Sequence, residues 1–106
     1  MDWPGAFALT LACELPVVFA ATRPLPAPGV LLAAIGANCV THPLAWRLSM
    51  ALPPENYLAG AAGIETGVFL AEALWYRGWL RLGLGRACIV SLLANAASAI
   101  TGWLLW

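Results

Sequence analysis

With 106 residues, 62% of them hydrophobic, 9% charged and a mean hydropathy of +0.83, the chain has too little polar surface to cover an ordinary water-soluble domain. Five Arg balance five acids and Lys is absent, which argues against a nucleic-acid partner, since that would need a basic stripe. The expected partner is the lipid bilayer, and residues 1–106 read as one integral membrane domain.

The first apolar run covers about 3–22. It lacks the positive leader and the small-residue cleavage site of a signal peptide, so it is expected to stay as a membrane span. Glu14 lies near its middle, with Thr10 one turn earlier and Pro16 two residues later. The segment Arg23-Pro24-Leu25-Pro26-Ala27-Pro28-Gly29 ends the run, because three prolines forbid a continuous helix and predict a stiff turn.

The second run, about 30–52, holds the only histidine in the chain. Asn38 and His42 are four residues apart and therefore share a helix face. Pro43 follows at once, and Pro53-Pro54 close the run. Like Pro16, Pro43 withdraws the usual donor from a carbonyl one turn back, here Cys39 and there Ala12.

The third run, about 55–80, has two faces. Ala59, Gly63, Gly67 and Ala71 repeat every four residues and predict a ladder for close helix packing. Glu65 and Glu72, seven apart, define another face. Neither suits lipid, which places this helix at the centre of the bundle or of an oligomer contact. The fourth run, about 86–106, follows a turn expected at Gly83-Leu84-Gly85 and carries the stripe Ser91, Asn95, Ser98 and Gly102.

Four runs of about twenty apolar residues joined by short loops predict an all-α, four-helix transmembrane bundle with antiparallel neighbours. Period-two alternation is absent, and four strands could not close a barrel in lipid. Arg23 in the first connection and Arg77, Arg81 and Arg86 around the third put those connections in the cytoplasm and both termini outside, with Arg47 snorkelling from the outer end of its helix. The tryptophans Trp3, Trp46, Trp75, Trp79, Trp103 and Trp106 all fall near span ends, where an aromatic belt is expected. Cys13, Cys39 and Cys88, without CxxC or zinc spacing, read as small packing residues.

At this depth, Glu14, Asn38, His42, Glu65, Glu72, Ser91, Asn95 and Ser98 are the candidate site residues. A charge at the centre of a span costs about 2.5–3.5 kcal/mol on insertion scales, so these groups are expected to converge on one internal cluster rather than face lipid singly. Each also has a packing role open to it: Ser and Asn as glue between helices, His42 as a donor that locks against a carboxylate.

The pattern N-x-x-T-H-P-L-x-W at Asn38–Trp46, followed by Glu65, Glu72 and Tyr76 and by Ser91, Asn95, Ser98 and Gly102, resembles a class of small bacterial integral membrane proteins over about the last two-thirds of the chain. The resemblance implies a four-helix membrane fold and a bacterial inner-membrane location, and it implies no catalytic role.

Three functions are compatible with these residues. The first is proton- or cation-linked transport by a homo-oligomer. The second is a non-catalytic accessory subunit of a larger membrane complex, which very short loops would suit. The third is a membrane enzyme acting on a lipid or isoprenoid, with Glu65, Glu72 and His42 as acid and base. The third lacks a nucleophile motif, a diphosphate-binding carboxylate pair or a glycine-rich phosphate loop. No cofactor is specified, and no HxxxH or CxxC supports a metal site.

Overall fold

The computed structural model describes residues 2–105 and contains four long α-helices: α1 (Trp3–Ala21), α2 (Ala27–Met50), α3 (Tyr57–Leu80) and α4 (Leu84–Leu105). A single 3₁₀ turn, Pro54–Asn56, leads into α3. Each helix is long and apolar enough to cross a membrane. The 24 residues of α2 or α3 extend about 36 Å at 1.5 Å per residue, enough to cover a hydrocarbon core of about 30 Å. Successive helices are antiparallel. Each packs on its chain neighbours, and α1 closes the ring on α4, while the diagonal pairs do not approach closely among the described residues.

Local chemistry sets the helix ends. Asp2 caps α1, its Oδ1 accepting from the Gly5 N–H at 2.9 Å, with Pro4 in the first turn where no N–H is needed. For the same reason Pro28 begins α2 rather than ending the preceding loop, so α2 starts at Ala27, three residues before the expected start of the run. The connection is a tight turn with a cis Arg23–Pro24 peptide, and the Leu25 N–H donates to the Thr22 carbonyl at 3.0 Å.

The third connection also differs from expectation. The glycines of Gly83-Leu84-Gly85 do not make the turn: α4 already begins at Leu84, and no described glycine has a positive φ. Arg81 reverses the chain in the left-handed region, at φ 54° and ψ 39°, a conformation that carries a steric cost outside glycine. That placement turns Leu82 into the core, 7% exposed, and frees Arg81 to solvent.

The core is confined to one half of the bundle. Val18, Val30, Ala33, Ala34, Ala37, Tyr76, Leu82, Ala87, Val90 and Ala94 form one buried cluster, all on the side of the α1–α2 and α3–α4 connections. Three polar clamps hold that half. The Trp75 indole N–H donates to the Ala33 carbonyl of α2 at 2.9 Å, Ser91 Oγ donates to the Phe69 carbonyl of α3 at 2.8 Å, and Arg86 Nη2 donates to the Arg23 carbonyl at 2.6 Å. Trp75 is therefore an interhelical clamp. Its ring lies over Gly36, where an added Cβ would come within 3.0 Å of Cζ2. Trp79 and Trp103 are 69% and 86% exposed, and Trp106 lies outside the described residues.

Helix α3 is not the centre of the bundle. Only Glu72, Ala73 and Tyr76 of its 24 residues are buried. Ala59, Gly63, Gly67 and Ala71 are exposed, and nothing lies within 4 Å of a Cβ built on Gly63 or Gly67. Gly63, Gly67 and Ala71 instead floor an apolar surface groove between α2 and α3. The reason is geometric: α3 turns its carboxylate face inward, and the ladder lies on a different side of the helix.

Candidate functional site

The site is the open half of the bundle. A cavity of about 240 Å³ lies between all four helices on the side of the α2–α3 connection. Thr10 and Glu14 line it from α1, and Asn38, Thr41, His42, Ala45, Trp46 and Ser49 from α2. Helix α3 contributes Tyr57, Ala61, Ile64, Glu65 and Val68, and α4 contributes Asn95, Ser98 and Ala99. The positions on α3 fall three and four apart, so they form a single inward stripe.

Glu14 forms the floor. It is 2% exposed; Ser98 Oγ donates to its Oε2 at 2.8 Å, and its Oε1 has no protein partner. Ser98 Oγ also lies 3.2 Å from the Asn95 carbonyl of its own helix. A hydroxyl has one proton, so it serves the carboxylate or the backbone at any instant. The Asn38 side chain lies beside Glu14. The amide group of Asn38 donates to the Ala34 carbonyl at 2.9 Å.

Glu65 lies one level above, exposed within the open cavity. Glu72 lies one level below, outside the cavity and 1% exposed, with both carboxyl oxygens unpartnered. Asn95 stands beside Glu72, and its amide group donates to the Ser91 carbonyl at 2.9 Å and to Ser91 Oγ at 3.3 Å. Tyr76, fully buried beneath Glu72, has an unpartnered hydroxyl. Ser91, Asn95, Glu72 and Tyr76 thus form a polar column that leads from the cavity into the packed half. A buried carboxyl without partners costs a few kcal/mol, which simple packing does not require.

His42 departs from the expected carboxylate lock. Among the described residues its Nδ1 is buried without a partner, and no carboxylate bonds to it. It sits instead in an aromatic nest. Its ring centroid is 5.3 Å from Phe7 and 6.0 Å from Trp3 on α1, and 6.4 Å from Trp46 on α2. Trp3 stacks on Phe7 at 5.3 Å. Offset and edge-to-face ring contacts of this kind add about 0.5–1.5 kcal/mol each beyond area burial. Trp3 therefore serves the α1–α2 contact, and Trp46 the cavity wall. The spacings that reveal the nest, Trp3–Phe7 and His42–Trp46, are both i, i+4.

The structure brings Glu14, Asn38, His42, Glu65, Asn95 and Ser98 to one cavity and sets Glu72 and Ser91 directly under it. Of the polar and aromatic lining residues, sequence reasoning did not assign Thr10, Thr41, Trp46, Ser49 and Tyr57 to the site. Thr41 Oγ1 and Ser49 Oγ are engaged by backbone carbonyls of their own helix, Ala37 and Trp46, at 3.0 and 2.8 Å. The cysteines are free: Cys13 and Cys88 are half-buried, and Cys39 is exposed rather than packed. No group of three or more His, Cys, Asp or Glu side chains able to hold one metal ion occurs among the described residues.

No protein-family model, curated protein or solved structure matches this chain.

Proposed function

We propose that the protein is a small polytopic protein of a bacterial inner membrane whose carboxylate cavity binds a proton or a cation in proton- or cation-linked transport. The observation that carries this reading is Glu14, a 2% exposed carboxyl with one oxygen unpartnered, at the floor of an open cavity between four apolar helices. Glu65 and Glu72 lie near it, and no Arg lines the cavity. Three carboxyls in one partly dry site repel one another when ionised, so a bound proton or cation is needed to neutralise them. Exchange between those two neutralising species is the elementary step of coupled transport.

The arginine asymmetry supports a cavity that opens outside the cytoplasm, with Arg23, Arg77, Arg81 and Arg86 at the packed end. Passage to the other side then requires the packed half to open along the polar column of Glu72 and Tyr76. A homo-oligomer formed through the Gly63 and Gly67 groove would pack directly beside the cavity, since Thr41, Ala45, Ile64 and Val68 line both.

Proteoliposomes carrying an imposed pH gradient and an internal pH dye test the reading. The wild-type protein is expected to dissipate the gradient in the presence of a transportable cation, and Glu14→Gln to reduce the rate at least tenfold. Equal rates for wild type, Glu14→Gln and empty liposomes would reject it. The second reading, an accessory subunit, is favoured by the apolar groove alone. It predicts a fixed stoichiometry with a larger membrane complex after mild solubilisation.

A further inference from the structure

The chemistry of the cavity lining narrows what occupies it. Its ionisable lining is Glu14, Glu65 and His42, with Tyr57 at the rim and no Arg, so an anion has no counter-charge there. Its volume of about 240 Å³ far exceeds a bare ion, since one water occupies about 30 Å³ in the liquid. A metal ion also lacks a convergent set of ligands among the described residues. An inorganic ion would keep most of its water and gain little from this site.

The walls point the same way. Ala61, Ile64 and Val68 of α3 give the cavity an apolar side above its acidic floor. Trp46 on α2 and Tyr57 at the start of α3 add an indole and a phenol toward the open end. Aromatic faces attract organic cations by about 0.5–2 kcal/mol, more when the cation has been desolvated. An unpartnered carboxyl oxygen that is nine-tenths buried supplies the fixed charge.

We infer that the cavity takes a compact organic cation, a substituted ammonium with a hydrocarbon body. Its nitrogen lies beside Glu65, the carboxylate exposed to the cavity, and above the buried Glu14 at the floor, and its apolar part runs along Ile64 and Val68 toward Trp46 and Tyr57. A neutral hydrocarbon of the same shape forfeits the carboxylates, and an alkali ion forfeits the apolar wall. This assignment rests on the preceding reading of Glu14 as the charge-binding group and adds the class of ligand.

The test is isothermal titration of benzyltrimethylammonium into the full-length protein in nanodiscs at constant ionic strength. Saturable binding at one site per cavity is expected. The dissociation constant should weaken at least tenfold in Glu14→Gln, and similarly in Ala61→Phe, which fills the apolar wall from a half-buried position. If Glu14→Gln does not fold, Ala61→Phe reads the same site. Neither excess potassium chloride nor the uncharged isostere neopentylbenzene should displace the probe. Displacement by potassium as effective as by unlabelled probe, displacement by the neutral isostere, or affinity unchanged in both variants would overturn the inference. Failure here with Glu14-dependent proton flux intact removes the ligand class alone. Loss of that flux dependence removes the transport reading, whatever binds.

Discussion

The two halves of this bundle are built from the same four helices and obey different rules. In the half that carries the first and third connections, alanines at Ala33, Ala34, Ala37, Ala73, Ala87 and Ala94 let the backbones approach, and Trp75, Ser91 and Arg86 tie them by hydrogen bonds. In the other half, α3 buries no residue from Tyr57 to Ala71. There the polar and aromatic contacts between helices, among the described residues, are a hydroxyl–carboxylate bond, Ser98 to Glu14, and an aromatic nest around His42. Packing of small residues without voids gives rigidity, while an open, polar-lined half gives access. Glu14 sits at the boundary, with Glu65 on the open side and Glu72 on the packed side.

Substitutions that add volume break this contrast most sharply. Ala94→Leu places three more carbons at a fully buried position and is expected to destabilise the fold by about 3 kcal/mol. Ala61→Leu makes the same change on the cavity wall and should stay within about 0.5 kcal/mol of wild type. Unfolding in mixed detergent–SDS micelles reads both, and equal costs would mean that the two halves are packed alike.

A smaller effect of opposite sign is expected at Glu72. Both of its carboxyl oxygens are buried without partners, so Glu72→Met should raise stability by about 2 kcal/mol in the same unfolding assay. Unchanged or lower stability would show that Glu72 is satisfied within the packed half. Ser91→Ala removes the bond to the Phe69 carbonyl and should cost about 0.6 kcal/mol, the typical worth of an interhelical hydrogen bond in a membrane.

The smallest effect on the fold is expected on the ladder. Gly63→Ile and Gly67→Ile meet open space within the protomer and should leave the unfolding midpoint unchanged within about 0.5 kcal/mol. Light scattering of the same variants reads stoichiometry, and a shift there alone would identify the groove as an interface between copies.

Sequence alone determined the number of helices, their antiparallel order and the position of each polar group along its helix. Those properties are local: a run of apolar residues long enough to span, a proline or glycine near its end, and a position counted along a helix. The inward stripe of Glu65 and Glu72 was legible for the same reason, because helical spacing fixes which residues share a face. Tertiary structure decided which way each face turns. It set the Gly63 and Gly67 ladder outward, tied Trp75 to Ala33, gave His42 aromatic rather than acidic neighbours, and put the third turn at Arg81. It also confined the cavity to one half. The rotation of a helix about its own axis depends on what the neighbouring helices offer it, and no single segment carries that information.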